Sequence, residues 1–236
     1  MTSFFSAIIS LSFLLSSSNV FAQDTLLNKY GLWVISSVEE YKKTIASNYE
    51  KIMADLSVEI PNVILDLKYA GSDNFMHTKL YTSATTTFLR LAAADKLSAV
   101  QGELRQQQLG IKIWDAYRPY AVTEKMWEPV KDERYAADPK FGSGHNRGIA
   151  VDLTIVDLKT NKELDMGTGF DNFSDTAHHD YKNLPQQILQ NRILLRSVME
   201  KNGFIALETE WWHYYLPDSK NYELLDISFE DLYKIQ

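Results

Sequence analysis

From Ile149 the chain alternates without a break, with Ile149, Val151, Leu153 and Ile155 on one side and Ala150, Asp152 and Thr154 on the other. A period of two marks a β-strand with one buried face. It leaves Asp152 in mid-strand, opposite the aliphatic side. A carboxylate there is costly unless it is paired or binds a cation. Just before the strand, Gly142, Gly144 and Gly148 let the backbone wrap closely, and His145 lies inside that turn, able to fold back toward Asp152. The stretch demands a sheet packed on its aliphatic side and carrying polar chemistry on the other.

A later segment, Glu210-Trp211-Trp212-His213, supplies another imidazole and another carboxylate. The 236-residue sequence contains no cysteine. That excludes disulfides, thiolate metal sites and a cysteine nucleophile, so any metal must be held by His, Asp or Glu. His145, Asp152 and His213 form a two-His, one-Asp set that suits one catalytic zinc per chain, with a fourth position left for water. Glu210 sits beside a ligand without being needed as one, as expected of a general base in metal-assisted hydrolysis. Glu210 and His213 are three apart and would point to opposite faces of a regular strand. The spacing therefore predicts a bulge or a strand end between them.

The net charge of −7 argues against nucleic acid as a partner. Residues 1–22 read as a signal peptide: Phe4 to Leu15 is almost wholly apolar, and Val20-Phe21-Ala22 suits cleavage. The mature protein is then expected to start near Gln23, to be secreted or periplasmic, and to hold no stable membrane association. No feature of the sequence specifies an oligomeric state. Residues 23–55 read as a helical extension, with Val38, Tyr41, Ile45, Tyr49 and Ile52 at helical steps, and 56–236 as one catalytic domain.

Within that domain, 57–69 reads as extended chain, 88–108 and 186–202 as helices, and 111–114 as a strand. Residues 121–130 read as a short helix, 204–216 as the last core strand, and 218–236 as a surface-packed tail. His77 and the adjacent pair His178-His179 read as loop residues outside the metal set. Arg118 stands just before Pro119 at a strand end, where a salt-bridge role and a functional one fit equally well.

The motifs Trp114-Asp115-Ala116-Tyr117-Arg118-Pro119, Ser143-x-His145-x-x-Gly148-x-Ala150-x-Asp152, Met166-Gly-x-Gly-Phe170-Asp171 and Glu210-Trp211-Trp212-His213 resemble the VanX-type D-alanyl-D-alanine dipeptidases. These belong to a wider group of zinc D-Ala-D-Ala peptidases related to the hedgehog signalling domain. The similarity runs from about Val58 to Leu216. It implies an α+β fold, an antiparallel sheet flanked by helices, with the zinc site on the sheet face. It also implies His145, Asp152 and His213 as zinc ligands and Glu210 as catalytic base. Arg118 would steady the oxyanion, Ser143 would help hold a small dipeptide substrate, and Asp171 would bind its ammonium. Two other readings compete: a D,D-carboxypeptidase or endopeptidase on peptidoglycan stem peptides, and a non-catalytic zinc-stabilised binding domain.

Overall fold

The computed structural model describes residues 27–82 and 84–236, so the signal-peptide stretch lies outside the described residues. In chain order the elements are β1 (Val34–Ile35), α1 (Val38–Ile45), β2 (Met53–Asp55), α2 (Leu56–Glu59), β3 (Ile64–Leu65), β4 (Phe88–Arg90), α3 (Leu91–Arg105), β5 (Leu109–Asp115) and α4 (Tyr120–Val130). Then follow β6 (Ala150–Asp157), α5 (Gln186–Lys201), β7 (Ile205–Ala206), β8 (His213–Tyr215), β9 (Leu224–Leu225) and α6 (Phe229–Lys234). The fold is α+β. Its main sheet has five strands in the order β3-β5-β6-β8-β7. The pairs β5–β6, β6–β8 and β7–β8 are antiparallel, and β3 joins the edge in parallel to β5. Among the described residues no helix is long and apolar enough to cross a membrane.

The aliphatic side of β6 is where the sheet meets its helices. Ile149, Val151, Leu153 and Ile155 share one buried cluster with Leu97, Val100 and Leu104 of α3 and with Leu195, Val198 and Met199 of α5. α5 ends where glycine allows it to. Gly203 adopts φ +87°, its N–H donates to the Glu200 carbonyl, and the Phe204 N–H donates to that of Met199. This pair of bonds is a Schellman cap, with the buried Phe204 as its apolar anchor.

Several expectations needed correction. The apolar steps from Val38 to Ile52 do not make one helix. α1 stops at Ile45, and the Asn48 side chain then caps a separate 3-10 turn at Tyr49–Lys51. Tyr49 is exposed, so the apparent stripe continued past the helix by coincidence. Residues 57–69 are not uniformly extended either. Asp55 caps the single turn of α2, a bond from the Ser57 N–H, and only Ile64–Leu65 pair as strand.

The helix expected from residue 88 begins at Leu91. Phe88–Arg90 instead pair antiparallel with β2, and the Arg90 guanidinium donates to the carbonyls of Arg147, Lys51 and Glu223. The strand expected over 204–216 is instead β7 and β8 with turns between them.

The largest correction concerns the tail. β9 pairs in parallel with β1, and Phe229 and Leu232 of α6 are buried in a second core cluster with Ile35, Tyr41 and Met53. Both ends of the described chain thus share one core. Short apolar runs carry too little periodicity to announce this, because their burial depends on partners almost two hundred residues away.

Candidate active site

The site is built on the polar side of β6 and its neighbours. Two backbone irregularities put its groups there. The first is the turn before β6. Gly148 has φ +68°, a Cβ on it would come within 2.7 Å of the Met53 side chain, and its carbonyl accepts the Arg90 N–H. Only glycine combines that backbone angle with that close approach. The turn is pinned by Ser143, whose Oγ accepts the Asn146 N–H, and by Asn146, whose amide donates to the Arg118 carbonyl and to Thr123 Oγ1.

The second irregularity is a β-bulge at Trp114. Ile113 lies opposite Leu153, yet Asp115 lies opposite Asp152. Without the extra residue Asp115 would share the aliphatic side with Ile113. With it, Asp115 is fully buried on the polar side.

Three donor atoms converge there. His145 Nε2 lies 3.3 Å from His213 Nδ1 and 3.3 Å from Asp152 Oδ2, and His213 Nδ1 lies 2.9 Å from Asp152 Oδ1. All three side chains offer an atom within 4.8 Å of the others. Among the described residues this is the group of His, Asp and Glu that could hold a metal. His77, His178 and His179 are not part of it.

The two imidazoles are in the chemical form a metal requires. His145 Nδ1 lies 2.7 Å from the Ala116 carbonyl, a contact that requires Nδ1–H and leaves the Nε2 lone pair free. Burial, then the charges of Arg118 and the second imidazole, keep His145 neutral well below its usual pKa. Burial lowers His213 as well. Asp152 is buried, and its carboxyl is pushed well above the usual carboxylate range by that burial and by Asp115. Left alone it holds its proton rather than bear a buried charge, and a cation shared with the two neutral imidazoles would remove that cost. The residues fit a metal.

Around this cluster stand the remaining candidates. Glu210 lies at the expected strand end, since the His213 N–H donates to its carbonyl across a turn that closes just before β8. Its Oε2 is 3.9 Å from His213 Nδ1, and burial pushes its pKa up to about 7. Arg118 Nε and Nη2 both donate to Asp115 Oδ2, at 3.0 and 2.8 Å. Burial opposes its charge, but Asp115 and then Tyr69 and Tyr81 raise its pKa well above the usual value.

Asp171 accepts from the Tyr69 hydroxyl at Oδ1 and from the Phe75 N–H at Oδ2, both at 3.0 Å. Its burial raises its pKa to about 6. Arg118, Ser143, His145, Asp152, Asp171, Glu210 and His213 all line one cavity of about 380 Å³. The seven residues singled out from the sequence are brought together.

The family model for D-Ala-D-Ala dipeptidases, peptidase M15, matches residues 49–234. The chain belongs to this family. It is 36% identical over 180 residues to the D-alanyl-D-alanine dipeptidase of Escherichia coli (strain K12), covering 75% of this chain and 91% of that protein. It is 32% identical over 178 residues to the enzyme of the same name from Enterococcus faecium, covering 65% and 85%. The corresponding values for that of Streptomyces coelicolor are 31% over 175 residues, 65% and 85%. The protein is accordingly a metallopeptidase of the dipeptidase type.

Sequence reasoning missed the residues that hold the site's functional groups in place. Asp115 stood inside a recognised motif without a role, because a strict period of two assigns it to the wrong face. Tyr81, whose hydroxyl donates to Asp115 Oδ1, comes from a loop with no periodicity to read, and Tyr69 from the end of a stretch read only as extended chain. The only local sign was the carboxylate itself, an acidic residue ending a strongly apolar strand.

Proposed function

We propose that the protein is a zinc-dependent D-alanyl-D-alanine dipeptidase that works outside the cytoplasm in cell-wall peptide turnover. The observation that carries this is the cavity in which a His-Asp-His donor set, with His145 and Asp152 buried, meets a carboxylate held near neutral pKa. His145 Nε2, an Asp152 oxygen and His213 Nδ1 would hold the zinc, whose chemistry is to polarise the peptide carbonyl and activate water at an open position.

The chain's own groups do the rest. The Glu210 carboxylate takes the proton of the attacking water and returns it to the leaving amine nitrogen. The Arg118 cation, held rigid by Asp115, faces the carbonyl oxygen as it gains negative charge; preorganised charge of this kind is worth about 3 kcal/mol. Asp171 pairs with the substrate ammonium, which favours an unacylated amino terminus. Ser143 Oγ keeps its proton to donate, since within the turn it acts as an acceptor.

The direct test is D-Ala release from D-Ala-D-Ala by the zinc-loaded protein, with Glu210→Ala as control. Turnover that survives in that variant would remove Glu210 from the mechanism. Export is tested by determining the amino terminus of the protein produced by its host: a start near Gln23 supports it, and an intact Met1 refutes cleavage.

A further inference from the structure

The catalytic cavity does not end at Asp171. A second cavity of about 630 Å³ adjoins it, within the range of roughly 300–1,000 Å³ typical of ligand sites. Tyr135, Asp171 and Phe173 line both, so these three side chains form the partition between them. The partition is an ordered assembly. The Tyr135 and Phe173 rings meet edge to face with centroids 4.7 Å apart. Phe173 in turn meets Phe75 at 5.5 Å and 90°. The Phe75 N–H donates to Asp171 Oδ2, which ties the aromatic pair to the carboxylate.

The far side is chemically complete without a ligand charge. Lys68 pairs with Asp66 and Asp73, and Glu163 pairs with Lys112. The one lysine lining it is already paired and so leaves no demand for an anionic occupant, and the lining carboxylates Asp73 and Glu163 are already matched. The space suits a neutral acyl or peptidyl group.

A substrate with its scissile bond at the metal cluster and its amino nitrogen at Asp171 would send any preceding residue straight at the Tyr135–Phe173 contact. We propose that Tyr135 and Phe173 are the length-determining residues of this site: their contact excludes N-acylated peptides, and the cavity behind them is a dormant subsite for the acyl group. This rests on the dipeptidase reading above. An aromatic wall is a steric device that acts on extended substrates and is indifferent to the bond being cleaved. Its removal should therefore change the ratio of two substrates, whatever it does to each rate.

The experiment compares kcat/KM for N-acetyl-D-Ala-D-Ala and D-Ala-D-Ala in the wild type, Phe173→Ala and Tyr135→Ala, all zinc-loaded. The expected result is a strong wild-type preference for the free dipeptide. The acetylated-to-free ratio should then rise by about tenfold or more in Phe173→Ala, the scale on which a pocket discriminates by shape. Tyr135 is 38% exposed, so its variant keeps the test open should Phe173→Ala unfold, and it should move the ratio in the same direction. An unchanged ratio in the folded variants overturns the proposal, as does a wild type that cleaves both peptides equally well. Wild-type failure on D-Ala-D-Ala itself would overturn the dipeptidase reading, a separate outcome.

Discussion

The two sides of β6 are built by opposite rules. On one side Val151, Leu153 and Ile155 are fully buried against α3 and α5, and each interaction is replaceable by another of similar volume. On the other side Asp152 is nearly as buried, but among imidazoles, a guanidinium and a second carboxylate. Burial is therefore the wrong variable for separating structure from chemistry here. What separates the two sides is whether the buried groups are matched by shape alone or by polar partners held at fixed positions.

That contrast can be broken deliberately. The largest effect should come from the metal. Chelation or Asp152→Ala should abolish turnover, with zinc restoring only the chelated wild type. Zinc should also raise the melting temperature of the wild type and not of the variant, because a ligand that binds the folded state stabilises it. A chelated protein with full activity would end the metal reading.

Glu210→Gln should lower kcat by about 10²- to 10⁴-fold, the usual contribution of a positioned base. Zinc content should be unchanged. Loss of the metal in this variant would instead make Glu210 a ligand.

On the opposite side, Leu153→Ala should lower stability by about 2–5 kcal/mol through the cavity it leaves, measured by denaturant unfolding. The KM of the folded fraction should not move. A shifted KM would show that the two sides are mechanically coupled.

The smallest effect should come from Asp171. Its carboxyl titrates near pH 6, raised by burial. Below that pH it is protonated and cannot pair with an ammonium, so kcat/KM for the dipeptide should gain a limb as pH rises through about 6. Asp171→Asn should lack that limb. The stability effect has a definite sign too. Because the folded-state pKa is raised, the stabilising contribution is present in acid and lost as pH rises through about 6. Asp171→Asn should therefore gain on the wild type more at pH 8 than at pH 5. Identical pH profiles for the two proteins would remove Asp171 from substrate binding.

Much of the site was legible because its residue types are unusual where they stand. A carboxylate interrupting an aliphatic alternation and a histidine among glycines both ask for an explanation, and so does a Glu three residues before a His in aromatic surroundings. Each is a local conflict that ordinary packing does not resolve. The long elements α3, α5 and β6 were legible for the opposite reason: many consecutive residues agree on one period. Short pieces failed. β1, β9 and α6 are each a few residues long, and the second core they form with α1 exists only because distant segments meet.

The sequence by itself determined the alternation of β6, the two long helices that cover it, and the ligand-type residues, since these depend on patterns within some fifteen neighbouring positions. Only the tertiary structure decided which side Asp115 occupies, that Tyr69 and Tyr81 reach the site, and that Phe173 meets Tyr135 across Asp171. A bulge changes the face of a residue without changing its identity, and a contact between loops leaves no period in either one. Those are properties of the assembled chain, and they convert a set of plausible side chains into a cavity with a floor, a clamp and a wall.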